Sequence, residues 1–330
     1  MHSRRAHYGE FYELKPVDDR GPLAMVFGNC QAESLRIMLE GPDVQTVRVP
    51  PVFELVAADL PFLERMLART TLLITQPVRD DYHDLPLGTR QLTAVLPGGA
   101  RVVRMPVIRF AGLYPFQAIV RPPADPGAVP PVVPYHDLRT LVEAHRLRRL
   151  HRRRGDGSVV PEPADFAEPA APAEPAEPAA PTRDLVERIR QVAADSVAEL
   201  ERRETHHDTV VVSDLFARPT FDLMRTINHP GNAVWSAAAR RVRHRLGLAE
   251  HDVDPGRPLL DAVHAPREAA VIAAFDLNDD PRPDWIVSGT PVSATAVRLA
   301  HLDWYAANPG IIDVGLTRHA HTLATLGLLP

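Results

Sequence analysis

Short apolar runs alternate with helix-like segments over residues 22–108, and this alternation restricts the folds open to the chain. Four runs are typical of buried strands, being short, apolar and bounded by glycine, proline or polar residues: 23–28, 44–49, 71–76 and 100–108. Helices are predicted between them at 32–41, 53–70 and 87–96, the second broken near Pro61. Strands alternating with helices predict an α/β fold with a doubly wound parallel sheet covered on both faces.

The composition changes at residues 155–182, where AEPA is repeated and large apolar residues are almost absent. Such a segment cannot bury enough apolar surface to fold, so we predict a disordered Pro/Ala-rich insertion. A helix at 183–204, a strand at 208–215 and a helix at 232–248 capped by Asn232 are predicted after it, so it interrupts one fold. The predicted division is an N-terminal arm (1–21), the first part of an α/β domain (22–154), the insertion (155–182), the second part (183–248) and a mixed C-terminal extension (249–330).

Charge and cysteine usage exclude several classes of protein. The net charge of −5 gives no general reason to expect nucleic acid as a partner. The arginine-rich end of a predicted helix at 136–154 favours a solvated helix end over a phosphate or nucleic-acid site. A single cysteine excludes an intrachain disulfide and multi-cysteine metal sites, and no histidine pair has zinc spacing, so we predict no metal. Without a signal-peptide core or a long apolar span, we expect a cytoplasmic protein with no transmembrane segment.

The turn Gly28-Asn29-Cys30-Gln31 is the first candidate for chemistry. It lies between a predicted strand and a predicted helix, and ligands of parallel sheets bind at the carboxyl ends of strands. A helix N-terminus favours anions, so we expect it to lower the thiol pKa of Cys30. Asn29 and the backbone N–H groups of the turn are candidates for holding an oxyanion. The alternative is a small buried cysteine that only packs.

A second group of polar residues follows the third predicted strand and contains Gln76, Arg79, Asp80 and Tyr82. It falls on the same edge of the sheet, so it can converge with the cysteine turn. Arg79 suits a phosphate or carboxylate, and Asp80 suits orienting a histidine or a sugar hydroxyl. A polar turn with acidic caps is the alternative interpretation.

Two further segments complete the candidates. His229 precedes a proline and a predicted helix start near Asn232, which can hold the imidazole rigidly as a general base. A packing histidine is the alternative. Arg109 lies among aromatic residues after the fourth strand. Such a segment forms either a pocket for a sugar or an adenine ring or a structural loop, and the sequence supports both equally.

These segments together resemble the WcbI-type polysaccharide biosynthesis proteins, a family regarded as acetyltransferases. The matching segments are VFGNCQAESLRIML (26–39), TQPVRDDYHDLPLGT (75–89), RMPVIRFAGLYPFQ (104–117) and INHPGNAVW (227–235). The resemblance covers about residues 22–248 and implies coenzyme A binding and acyl transfer to a carbohydrate hydroxyl in glycan assembly. Carried onto this sequence, it gives catalytic candidates and coenzyme A-binding candidates: Cys30, His229, Asn29 and Asp80 for catalysis, and Gly28, Gln31, Gln76, Arg79, Tyr82, Arg109 and Asn232 for binding.

A looser resemblance links the chain to SGNH-type hydrolases and acetyltransferases, with Cys30 in the position of their serine. Thr226, not an acidic residue, stands three positions before His229, so a third triad member must come from elsewhere. Its candidates are Asp80, Asp81, Asp214 and Asp222.

Acyl transfer has two routes at such a site. The acyl group passes through a Cys30 thioester with His229 as base, or His229 deprotonates the acceptor directly and Cys30 only shapes the site. The alternatives are a cysteine-dependent hydrolase or thioesterase, and a non-catalytic partner that binds coenzyme A or glycan. The expected partners are an acyl donor, a carbohydrate-like acceptor and a second copy of the chain.

Overall fold

Four parallel strands form the sheet that positions the candidate site. In a computed structural model, which describes residues 2–17, 21–122, 127–154 and 181–328, the strands are β1 (Leu23–Phe27), β2 (Gln45–Val47), β3 (Leu72–Thr75) and β4 (Arg101–Arg104). Their order is β2-β1-β3-β4. All residues of β1 and β3 are buried, as expected of central strands covered on both faces. The predicted α/β fold with a parallel sheet is confirmed, while residues 155–180 of the predicted disordered insertion lie outside the described residues.

The register of the sheet brings the ends of its strands to one level. Phe27 pairs with Thr75, and Thr75 pairs with Arg104, so β1, β3 and β4 end side by side. The chain passes from β1 to β2 on one side and then returns to place β3 on the other side of β1. Such a reversal of strand order opens a crevice at the carboxyl ends of the two strands. Gly28 and Gln76, the residues that follow β1 and β3, therefore flank this crevice.

Eleven helices lie in the described residues. They are α1 (His2–His7), α2 (Cys30–Leu39), α3 (Leu60–Leu67), α4 (Thr89–Ala94), α5 (Leu138–Arg154), α6 (Arg183–His207), α7 (Asn232–Arg245), α8 (Ala269–Phe275), α9 (Ala294–Ala307), α10 (Gly310–Arg318) and α11 (Ala320–Leu326). None of those whose residues are described is long and apolar enough to cross a membrane.

The chain packs into two units, each made of two separate segments. The first unit comprises Met1–Phe110 and Ser196–Asp261 and contains the parallel sheet. In it, α2 packs against β1 and α7, and a buried cluster including Phe11, Met25, Phe27 and Leu73 fills the core.

The second unit comprises Ala111–Asp195 and Ala262–Pro330. Its helices α5, α9 and α10 pack together around a core that includes Leu138, Leu141 and Tyr305. Its strands form a two-stranded and a three-stranded antiparallel sheet: β5 (Gln117–Ala118) with β6 (His136–Asp137), and β9 (Val263–His264), β10 (Trp285–Val287) and β11 (Thr290–Val292).

Three local predictions differ from the structure. Pro61 is the second residue of α3 and does not break a longer helix, because its missing N–H costs nothing in the first turn. Residues 208–215 are not a strand beyond one bridge between Thr209 and Arg104. The buried Glu204 carboxylate accepts the backbone N–H groups of Val212 (2.6 Å) and Ser213 (3.0 Å), which removes them from strand pairing.

The third difference is the cap of α7. Gly231 is the N-cap and Asn232 is the first helical residue. The side chain of Asn232 instead binds the following loop, accepting from the N–H of Leu259 (2.8 Å) and donating to the carbonyl of Arg257 (2.9 Å). An ordinary N-cap would accept from its own helix, so this asparagine fixes a loop and not a helix end.

Candidate functional site

The turn after β1 is built around a close approach between Gly28 and Gln76. A Cβ atom at Gly28 would lie 2.4 Å from the Gln76 Oε1 atom, so any other residue there would displace the buried Gln76 side chain. That Oε1 atom accepts the backbone N–H of Asn29 at 2.8 Å. Asn29 is the N-cap of α2, and its Oδ1 atom accepts the N–H of Gln31 at 2.9 Å. Cys30 is thereby held as the first residue of the helix.

Gln31 joins this turn to two other segments. Its side chain is 1% exposed. Its Nε2 group donates to the carbonyls of Ile108 (2.7 Å) and Asn228 (2.8 Å). Its Oε1 atom accepts the N–H of Ile108 and the Nε2 group of Gln76, each at 3.0 Å. We call these four hydrogen bonds the Gln31 clamp. It brings together the turn after β1, the end of β3, the segment after β4 and the residue before His229.

A short hairpin presents His229 beside the clamp. Strands β7 (Met224–Thr226) and β8 (His229–Pro230) pair in antiparallel fashion, and His229 itself is half-buried. Gly231 is required immediately afterwards, because a Cβ there would lie 1.9 Å from a backbone carbonyl oxygen of the hairpin. The indole N–H of Trp235 donates to the carbonyl of Pro230 at 3.0 Å. These contacts fix the backbone on both sides of the imidazole.

The thiol of Cys30 is subject to opposing effects. Burial, the largest effect, raises its pKa. The backbone N–H groups of Cys30 and Gln31 and the positive charge of Arg109 act in the opposite direction but do not reverse it. The helix N-terminus thus acts in the expected direction, but the expectation that the thiol pKa falls below its ordinary value is wrong, because burial outweighs it. Arg109, an exposed residue, is the charged side chain that acts on this thiol.

Cys30 and Asn29, both candidates from the sequence, line a small cavity of about 200 Å³ whose remaining walls the sequence did not indicate. They include Tyr8, Glu33, Arg48 and Phe53. Arg48 pairs with Glu33 (3.0 Å) and lies over the ring of Tyr8 (5.7 Å). Arg48 directly follows β2, which ends at Val47, whereas the predicted strand 44–49 included it. Tyr8 comes from the N-terminal arm, where no pattern indicated it.

The polar residues after β3 face a different space. Arg79 and Asp80 line an open cleft of about 920 Å³ together with Arg90, Arg104 and His206. Asp80 pairs with Arg90, and the Arg79 guanidinium lies 5.9 Å from the ring of the half-buried Tyr82. Asp80 and Cys30 thus line separate cavities.

Two of the three other acidic candidates for a triad, Asp81 and Asp214, also have partners, and the third, Asp222, is exposed. Asp81 accepts the side-chain amide of Gln91 (2.7 Å), and Asp214 forms two hydrogen bonds with Arg241 (2.6 and 2.7 Å). These aspartates hold turns and helices in place, and the third triad member stays open. Within the described ranges, no group of three or more metal-ligating side chains is arranged around a common point.

A model of the polysaccharide biosynthesis enzyme WcbI family matches residues 23–171 and 167–251. The chain belongs to the WcbI family of polysaccharide biosynthesis enzymes. The matched residues contain β1 to β4, the Gln31 clamp and the hairpin of His229. The resemblance inferred from the four sequence segments is confirmed.

A solved structure is similar over nearly the whole chain. It is described as WcbI, a novel polysaccharide biosynthesis enzyme, in its native form without a disulfide bond between coenzyme A and one of its cysteines. The TM-score is 0.69 at 18% sequence identity, covering 92% of this chain and 98% of the other. At that identity the likeness concerns the fold. No curated protein matches the sequence.

Proposed function

We propose that this member of the WcbI family transfers an acyl group from coenzyme A to a hydroxyl of a carbohydrate. The observation that carries the proposal is the Gln31 clamp, which holds the backbone next to His229 against the turn of Cys30. A base and a thiol held at the switch point of a parallel sheet suit acyl transfer. The family supports a carbohydrate acceptor. The solved relative is described as lacking a disulfide bond between coenzyme A and one of its cysteines, and this mention of the two thiols together supports a donor thiol beside Cys30.

His229 is the proposed general base. It removes the proton of the acceptor hydroxyl, and the oxygen attacks the carbonyl carbon of the acyl thioester. The carbon–sulfur bond breaks, and the thiolate of coenzyme A leaves with the proton returned by His229. The fixed hairpin matters because a base must stay within hydrogen-bond reach of the proton that it moves.

Cys30 is proposed to shape the donor site in this direct route. Burial raises the pKa of its thiol, so the neutral form is favoured at neutral pH. A route through an acyl-Cys30 intermediate would need His229 to remove the thiol proton first. The cavity of about 200 Å³ beside Cys30 is smaller than the roughly 300–1,000 Å³ of whole ligand sites. It suits the narrow thiol-bearing end of coenzyme A.

Two exposed arginines are proposed to hold the phosphates of the donor. Arg109 follows Ile108, which the clamp fixes, and Arg79 lines the cleft of about 920 Å³. Arg79 lies three positions after Gln76 in the chain, and an extended chain spans at most ~3.6 Å per residue. An extended ligand with its thiol at Cys30 can therefore place its phosphates at this cleft.

Turnover of acetyl-coenzyme A tests the proposal. We expect thiol release that requires added saccharide, a loss of at least ~100-fold in His229→Gln and retained turnover in Cys30→Ser. His251→Gln, at an exposed position, is the matched control. Release without saccharide would identify a hydrolase, and an inactive Cys30→Ser that still binds coenzyme A would favour the covalent route. If millimolar coenzyme A does not raise the Tm of the parent protein, the donor assignment is wrong.

A further inference from the structure

The second unit contains a cavity of its own, remote in sequence from the cysteine turn. It has a volume of about 370 Å³, at the lower end of the range for small-molecule sites. Four aromatic side chains contribute to its wall: Tyr114, Phe116, Tyr135 and Trp285. Tyr135 and Trp285 stack almost parallel, with 6.1 Å between ring centroids and 16° between planes. The wall is therefore rigid, flat and aromatic over part of its area.

The charged side chains of the cavity are organised around Arg139. Its guanidinium lies 4.1 Å from the ring centroid of Phe116. Its Nε group donates to Asp137 at 3.0 Å, and its Nη2 group donates to Asp137 at 2.6 Å and to Glu268 at 2.8 Å. A bidentate arginine of this kind fixes the orientation of both carboxylates.

A second ion pair lies one helical turn further along α5. Glu143 accepts the Nη1 group of Arg298 from α9 at 2.5 Å, and both residues line the cavity. The lining thus holds three carboxylates and two guanidinium groups, and each arginine already has a carboxylate partner.

This charge balance selects the class of ligand. A phosphate can only accept hydrogen bonds, and it would face carboxylates that also only accept. A hydroxyl both donates to a carboxylate and accepts from a guanidinium, so a ring bearing several hydroxyls satisfies both kinds of partner. The apolar C–H face of such a ring packs on an aromatic wall.

We propose that this cavity binds an uncharged sugar ring of hexose size. This cavity is lined by residues of the second unit, whereas the proposed acyl-transfer site is built from residues of the first, and it is not needed to explain that site. It shares with the proposed function only the carbohydrate class of the ligand. A glycan held in the second unit would be retained by the enzyme independently of the acyl donor.

Binding of single sugars to the full chain tests this inference. Glucose, mannose, galactose and N-acetylglucosamine are titrated separately, with saturation-transfer NMR and tryptophan fluorescence as readouts and inorganic phosphate as the counter-probe. Thr295→Arg places a long side chain in the cavity from an exposed position of α9, so it should fold and block the site. Ala296→Arg, also exposed on α9, adds the same charge at a position that does not line the cavity.

We expect at least one of these sugars to bind saturably below ~10 mM, with at least tenfold weaker binding in Thr295→Arg and unchanged binding in Ala296→Arg. The rise in Tm caused by coenzyme A should be the same in all three proteins. Absence of sugar binding, equal binding in Thr295→Arg, or displacement of the sugar by phosphate would overturn the assignment. If coenzyme A does not raise the Tm of the parent protein, the acyl-donor proposal is refuted, whereas the sugar-site proposal is unaffected.

Discussion

Replacing Gln31 by methionine removes the clamp while keeping the length of the side chain. The substitution deletes four hydrogen bonds of 2.7–3.0 Å at a position that is 1% exposed. At a net contribution of about 1 kcal/mol per bond, we expect the free energy of unfolding to fall by about 4 kcal/mol. For a unit of 150–250 residues this is a decrease in Tm of about 8–16 °C.

Urea denaturation followed by circular dichroism measures the effect. Gln191→Met is the matched control, because Gln191 is exposed and its one amide contact, to Asp195, lies on the surface of α6. We expect that control to change the free energy of unfolding by less than ~0.5 kcal/mol. A loss of less than ~1 kcal/mol in Gln31→Met would refute the inference that the clamp fixes the site.

A glutamate at position 31 tests the donating part of the clamp by itself. Gln31→Glu keeps the shape but turns a donating group into an acceptor facing the carbonyls of Ile108 and Asn228. Burial raises the pKa of such a carboxyl, so the protonated form is the one that the folded state tolerates. The stability of this variant should be greatest below pH ~4.3 and decrease as pH rises through the raised folded pKa. A variant whose stability does not depend on pH would contradict this.

Three further predictions concern single groups. Iodoacetamide should modify Cys30 slowly at pH 7, and the rate of modification should rise about tenfold per pH unit up to the raised pKa of the thiol. A rate that reaches its plateau below pH 8 would contradict the role of burial. Although burial raises the pKa of Asp59, the hydrogen bond from Arg4 (3.1 Å) and other donors outweigh it and lower the pKa overall. Asp59→Asn should therefore reduce Tm above pH ~3.9. The difference in Tm between the variant and the parent should shrink as pH falls through the lowered folded pKa of Asp59. A difference in Tm that stays constant over this pH range would refute the prediction. Gly231→Ala should lower the free energy of unfolding by at least ~3 kcal/mol or prevent folding. Gly98→Ala is the control and should change that free energy little, because there is open space around Gly98. Similar losses for both variants in urea denaturation would contradict the close approach at Gly231.

The position of the site at the sheet edge was predictable from the sequence. Gly28 and Gln76 end two of the apolar runs and Arg109 follows a third, and parallel strands end at a common edge. Their order along the chain therefore predicted that they converge. The clamp itself was not predictable, because an amide side chain gives no sign in the sequence of which backbone groups it binds.

The elements that the sequence misassigned depend on contacts with distant residues. Residues 210–212 are β-branched, which favours a strand, but the Glu204 carboxylate takes the N–H group that would continue the pairing. The cavity wall contributed by Tyr8 and the sugar-binding cavity of the second unit arise from segments far apart in the chain. Local periodicity carries no information about such packing.

The pKa of Cys30 shows how magnitudes decide between two correct arguments. A helix N-terminus stabilises a neighbouring negative charge by about 0.3–1 kcal/mol, less than the roughly 1.4 kcal/mol that changes a pKa by one. Burial can raise the pKa of a fully buried acid by about 3–5. The sequence revealed the helix terminus but not the depth of the thiol, so it predicted the smaller effect. A raised pKa keeps the thiolate fraction of Cys30 small at neutral pH, which supports the proposed direct transfer over a covalent route.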